Sequence, residues 1–212
     1  DDENAQIFSH LVSGLQTPTG EQNIAVWELS RKVKASPVLT ELIEKNEPLE
    51  ILNSLGDSAD GKKFKKDFDV FIRDFGHRGA EERDAYHFRW QQKPERVFPS
   101  IKALLAQDDE DSPARFEERL HLRMLETKKA CLKKIRQQPL GALKSAFFKW
   151  YLELVQEYFY YRDWERYQND KNGVRRRPMY CAIGRRFVER GLMQDEEDIF
   201  FIGRGEMMEL ET

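Results

Sequence analysis

Apolar residues in this chain recur at spacings of three and four almost wherever they cluster, and that period constrains its fold more than any other feature. Phe64, Phe68, Phe71, Ile72 and Phe75 fall on one helical face, while Lys62, Lys63, Lys65 and Lys66 take the other. This predicts an amphipathic helix that Gly76 stops. Thr19 with Gln22 has the form of a capping box ahead of Val26, Leu29 and Val33. Ser36-Pro37 and Ser112-Pro113 read as further helix starts. Phe116, Leu120, Met124, Cys131 and Ile135 mark a helix that Pro139 separates from a longer one. In that longer helix Leu140, Leu143, Phe147, Trp150, Leu154, Tyr158 and Tyr161 form one stripe. Phe148, Leu152, Val155 and Phe159 form a second on a neighbouring face. A helix apolar over so much of its circumference is expected at the centre of a bundle, with Phe147, Trp150 and Leu154 as core. Tyr180, Ile183, Phe187 and Val188 define a last helix ending at Gly191. No alternating strand–helix order and no internal repeat occur. The expected fold is all-α: an irregular multi-helix bundle with one long central helix, residues 199–202 being the stretch able to add a short terminal strand.

Composition narrows the classes of function. Charged residues make up 34% of the 212 and hydrophobic ones 40%, the balance of a soluble globular chain. No apolar run approaches the roughly 18–20 residues of a membrane span. A net charge of −3 lacks the basic excess of a dedicated nucleic-acid binder. The expected setting is cytoplasmic, with neither nucleic acid nor membrane as partner. Two cysteines, Cys131 and Cys181, exclude a disulfide framework. The opening Asp1-Asp2-Glu3-Asn4 has neither Met nor a signal sequence, as expected of a piece of a longer protein.

Three segments carry more specific information: residues 11–33 (LVSGLQTPTGEQNIAVWELSRKV), 75–90 (FGHRGAEERDAYHFRW) and 182–210 (AIGRRFVERGLMQDEEDIFFIGRGEMMEL). In this order and spacing they resemble the mainly helical middle region of phosphoenolpyruvate-synthase-like and rifampin-phosphotransferase-like enzymes, the histidine-swivelling dikinases. The GHRG block and the final EDIFF segment are the specific parts, and residues 108–175 contribute only helical pattern.

The resemblance implies a three-part enzyme. An ATP-grasp domain binds ATP and Mg, and a phosphohistidine domain swings between the nucleotide and the acceptor. ATP ends as AMP and phosphate, and a small-molecule acceptor leaves phosphorylated. This chain matches only the middle region, which holds or covers the acceptor. It has no Gly-rich phosphate loop and no Thr- and Gly-flanked histidine segment, so it is expected to bind no cofactor and to be inactive alone. Residues 1–212 are expected to form a single helical domain. Within it residues 77–94 form an irregular loop, and residues 195–212 a connector toward the phosphohistidine domain.

His77 and Arg78 follow a helix stop, where loop residues can face a cleft. An imidazole can accept the proton of an acceptor hydroxyl, and a guanidinium can grip a phosphate with two prongs. On the bland reading the loop is a clasp, with Arg78 paired to Glu82 or Asp84. Glu82 and Asp84 match acidic positions of the family pattern, and Arg89-Trp90 match its Arg-Trp pair. Ala80 and Glu81 stand where that pattern has Pro and Gly, and Arg83 replaces an apolar residue.

Residues 147–167 hold ten of the 25 aromatic residues. Tyr160, Tyr161, Trp164 and Tyr167 run on past the apolar stripe and are candidates for a pocket wall. The basic group Arg175, Arg176, Arg177, Arg185, Arg186 and Arg190 reads as a solvated face with local salt bridges. The acidic residues 108–111 read as a solvated linker, and His10, His87 and His121 have no partner at metal-ligand spacing. The preferred reading is an acceptor-binding region. Its rivals are a helical module that only docks neighbouring domains, and part of a ligase that activates its substrate by phosphorylation.

Overall fold

The computed structural model describes residues 2–79, 84–203 and 205–206. Nine α-helices occur among them, with no strand: α1 (Asp2–Leu11), α2 (Pro18–Lys34), α3 (Pro37–Lys45), α4 (Pro48–Ser54), α5 (Ala59–Phe75), α6 (Phe98–Leu105), α7 (Pro113–Arg136), α8 (Gly141–Gly173) and α9 (Arg176–Glu189). The fold is all-α. Residues 199–202 do not form a strand; Glu196–Phe200 is a 3-10 turn. Its acidic run satisfies the turn locally: Asp195 accepts from the Glu197 amide at 2.8 Å, and Asp198 accepts from the Asp195 amide at 2.9 Å. Backbone groups satisfied in this way have no need of a sheet.

The chain divides into two compact units, Asp1–Pro37 with Ser100–Tyr167 and Val38–Pro99 with Gln168–Thr212. In the first unit Leu11, Val26, Trp27, Leu29, Val33, Met124 and Leu152 are buried. Thr17 caps α2, its side chain accepting from the Gly20 amide, with Pro18 in the first helical position. The capping box expected at Thr19 lies two residues too late. Thr19 instead donates from its amide (3.1 Å) and its hydroxyl (2.8 Å) to the Asp163 carboxylate of α8. Gly14 has φ +65°, and a Cβ there would stand 2.3 Å from the His121 amide nitrogen, so only glycine lets this loop lie on α7.

Helices α7 and α8 are joined by four residues. The face of α8 that packs inward carries Ser145, Phe148, Leu152, Val155 and Phe159, all buried or half-buried. Phe147, Trp150 and Leu154, expected as core, are 62%, 58% and 50% exposed. Both stripes have helical spacing, so the period alone could not say which turns inward. Phe159 meets Phe8 of α1 edge-on at 6.0 Å, and Gln156 donates to the Leu11 carbonyl at 2.7 Å, which fixes α8 on this side.

The second unit follows the sequence more closely. Phe64, Phe68 and Phe71 of α5 are buried with Leu39, Ile43, Ile51, Leu55 and Val97. The Phe68 ring stacks on Phe98 at 5.0 Å, and Phe71 packs on Trp90 at 5.6 Å. Helix α9 lies against the 3-10 turn through Gly184, where a Cβ would stand 2.1 Å from the Glu196 carbonyl oxygen.

Candidate functional site

The candidate residues fall into two groups, one in each unit. In the second unit, α5 ends at Phe75 and two backbone hydrogen bonds tie the GHRG segment to residues 90 and 91. The Trp90 amide donates to the Arg78 carbonyl at 2.9 Å, and the Gln91 amide to the Gly76 carbonyl at 2.7 Å. His77, Arg78, Arg89 and Trp90 are all buried. Arg78 donates from Nη1 to Oδ2 of Asp170 at 3.1 Å, both side chains being 5% exposed or less. This partner lies in the last turns of α8, 92 positions away. Arg89 also reaches this end of α8: its Nη2 lies 3.4 Å from where a Gly173 Cβ would stand. The negative end of a helix dipole favours such cations.

Asp84 is exposed and closes its own turn, Oδ1 accepting from the Tyr86 amide at 2.9 Å. Its carbonyl accepts from Arg89 at 3.3 Å. Glu82 lies outside the described residues. Burial, and then the charges of Lys171, Arg78 and Arg89, lower the His77 pKa to about 4. The ring is therefore neutral at pH 7 and able to accept a proton, though as a weak base.

Arg177 corrects the expectation of a solvated arginine face. It is buried, with its guanidinium 3.8 Å from the Phe88 ring centroid, 5.2 Å from Phe200 and 5.6 Å from Tyr86. It donates to the Tyr86 carbonyl and to the Glu197 carboxylate. This charge is desolvated but fully engaged by ring faces, a carbonyl and a carboxylate. Arg175, Arg176, Arg186 and Arg190 are exposed as expected, and Arg185 pairs with Glu196 at 2.9 Å near the surface. Asp170, Arg177 and Glu197 were missed as a group. Nothing separates Arg177 from its two neighbouring arginines in sequence; only the turn of α9 does.

In the first unit, Tyr160, Tyr161 and Trp164 stand on α8 and are exposed. Tyr161 meets Tyr160 at 5.6 Å and Trp164 at 6.3 Å, both edge-on. Tyr151, Leu154, Val155, Glu157, Tyr158 and Tyr161 line a shallow groove of about 610 Å3. Within the exposed stripe this groove is the concave part, and its walls are aromatic rings with hydroxyl edges.

A family model described as rifampicin phosphotransferase fourth domain matches residues 1–163. The chain belongs to this family. It is a fourth-domain chain of the phosphotransferase type. Among its relatives is an uncharacterized phosphotransferase of Bacillus subtilis, YvkC, 23% identical over 208 residues, covering 94% of this chain and 23% of that protein. Rifampicin phosphotransferase of Streptomyces sviceus is 20% identical over 185 residues, 87% of this chain and 21% of that one. Rifampicin phosphotransferase of Bacillus subtilis is 19% identical over 192 residues, 91% and 22%. The fourth-domain chain therefore spans between a fifth and a quarter of the length of these relatives. Its family match takes in α8 as far as Asp163, and so Tyr160 and Tyr161 but not Trp164.

Proposed function

We propose that this chain is the acceptor-binding region of an ATP-dependent phosphotransferase that passes phosphate through a histidine. The supporting observation is the exposed aromatic face of α8, within the part of the chain that matches the rifampicin phosphotransferase fourth domain. A groove of about 610 Å3 has the size of a site for a drug-sized ligand and is far larger than pyruvate needs. The groove therefore favours a large, flat, hydroxylated acceptor of the rifampicin kind over a small one such as pyruvate. Tyr151, Tyr158 and Tyr161 would stack on its apolar face and orient its hydroxyls.

On this reading ATP and Mg belong to an ATP-grasp domain, the phosphoryl group to a histidine domain, and this chain alone transfers nothing. His77, neutral at pH 7, is the residue of the GHRG segment able to take a hydroxyl proton. Arg78, Arg89 and Trp90 are buried with it, and Glu82 and Asp84 remain candidates for the acceptor from the family pattern alone. Because the Arg78 charge is matched by Asp170, its part is to hold the segment rather than to grip phosphate. Titrating rifampicin onto the chain tests the proposal. Saturable binding that Tyr158→Ala weakens by tenfold or more supports it. Binding that never saturates, or that ignores Tyr158→Ala, favours a module that only docks other domains.

A further inference from the structure

The EDIFF segment, residues 197–201, is one of the two specific motifs in the sequence, and the acceptor reading leaves it without a part. In the structure it is tied to the GHRG segment around one side chain. Arg177 of α9, 5% exposed, donates to the Tyr86 carbonyl and to the Glu197 carboxylate. Its guanidinium also lies against the rings of Phe88 and Tyr86 from the loop and of Phe200 from the 3-10 turn. Phe200 and Phe201 meet the Tyr86 ring at 5.6 and 5.3 Å. Residues 86–91 then carry the connection to His77. The Phe88 carbonyl oxygen lies 3.2 Å from where a Gly79 Cβ would stand. The Trp90 and Gln91 amides donate to the Arg78 and Gly76 carbonyls, on either side of His77 in the chain. What holds residues 86–91 therefore holds the backbone around that imidazole.

We propose that Arg177 is a positioning residue, through which docking of residues 197–201 holds the GHRG segment in place. For its bearing on the reaction, the inference rests on the proposed role of His77 as proton acceptor. It rests equally on residues 195–212 being a connector to a phosphohistidine domain. While the turn is docked, the buried guanidinium is matched by Glu197 and holds the Tyr86 carbonyl. When the turn leaves, Arg177 loses its carboxylate and one of its ring faces, and a buried cation without a counterion turns toward water. The Tyr86 carbonyl then loses this donor, and residues 86–91 lose their anchor. Movement of the connector is in this way felt at His77 along one contiguous set of contacts.

The His77 ring, followed by NMR against pH in the chain and assigned with His77→Gln, reports this state. Burial and the charges of Lys171, Arg78 and Arg89 hold its pKa at about 4 in the docked segment, against 6.5 for an ordinary imidazole. Where the ring protonates by way of the open segment, a tenfold easier opening raises this value by about one unit. Glu197→Ala and Phe200→Leu should each raise it by about one unit or more. Direct electrostatics cannot imitate this result. Loss of the Glu197 carboxylate by itself disfavours imidazolium, and Phe200→Leu changes no charge at all. Glu196→Ala, which removes the Arg185 ion pair near the surface, should leave the value unchanged. In an Arg177→Met chain, itself shifted upward, Glu197→Ala should add nothing further. The acceptor groove contains none of these residues, so failure of rifampicin to bind would sink the acceptor reading and leave this titration as it stands. A parent value near 6.5, a value that either Glu197→Ala or Phe200→Leu leaves unmoved, or an equal rise in the Arg177→Met background would overturn the proposal.

Discussion

Arg78 and Asp170 meet at 3.1 Å from positions 92 residues apart, and both side chains are almost wholly buried. Removing one partner of such a pair leaves a desolvated charge without its counterion, which typically costs about 3–5 kcal/mol. Asp170→Ala and Arg78→Ala should each lower stability on that scale in a denaturant melt. Arg78→Met with Asp170→Leu should recover much of the loss, since an apolar pair of similar volume removes both desolvation costs. A double variant as unstable as the sum of the single ones would contradict this picture of the clasp.

His77 gives the second unit a dependence on pH. Its folded pKa lies near 4 against an ordinary value of 6.5, so the unfolded chain binds the extra proton between those limits. The stability that neutral His77 lends is therefore complete above about pH 7 and falls as the pH drops from 6.5 toward 4, by at most about 3 kcal/mol. The stability of His77→Gln relative to the parent chain, followed from pH 7 to pH 4, isolates this contribution from the carboxylates. A constant difference across that range would mean that His77 titrates normally.

Arg177 and Arg185 stand eight residues apart on α9 in opposite circumstances. Arg177 lies 3.8 Å from the Phe88 ring centroid and bonds Glu197, whereas Arg185 forms an ion pair with Glu196 near the surface. Arg177→Ala should cost about 2–4 kcal/mol, because it leaves the Tyr86 carbonyl and the Glu197 carboxylate unmatched. Arg185→Ala should cost under about 1 kcal/mol. Equal losses in thermal or denaturant melts would place Arg177 at the surface with its neighbours.

The helical period made most of the fold legible. The α5 stripe, the starts at Pro37 and Pro113, and the break at Pro139 all follow from local chemistry that tertiary packing leaves intact. What remained hidden depended on contacts between distant segments. Thr17 rather than Thr19 caps α2, because Pro18 fits the first helical position and Asp163 engages Thr19. Of the two apolar stripes on α8, the one that turns inward is chosen by α1, through Phe8 and Gln156, and not by any property of α8 itself. The same holds for the site. GHRG and EDIFF were visible as motifs, but Asp170 and Arg177, which pair with Arg78 and Glu197, enter from sequence positions that carry no signature.

The two stripes also give a direct comparison in stability. Phe68 is buried and stacked on Phe98, so Phe68→Ala should cost about 3–5 kcal/mol. Phe147 is 62% exposed, and Phe147→Ala should change the stability of this chain by no more than about 0.5 kcal/mol. A large loss for Phe147→Ala would return the outer stripe to the core.

The proposed acceptor role is tested most directly in a longer polypeptide that contains the nucleotide and histidine domains, with the two half-reactions followed separately using labelled ATP. Tyr158→Ala and Tyr161→Ala should leave formation of the phosphohistidine intact and slow its discharge to a rifampicin-like acceptor by tenfold or more, an effect of lost positioning. Discharge that proceeds at the parent rate in both tyrosine variants, or a loss confined to phosphohistidine formation, would contradict an acceptor site on α8.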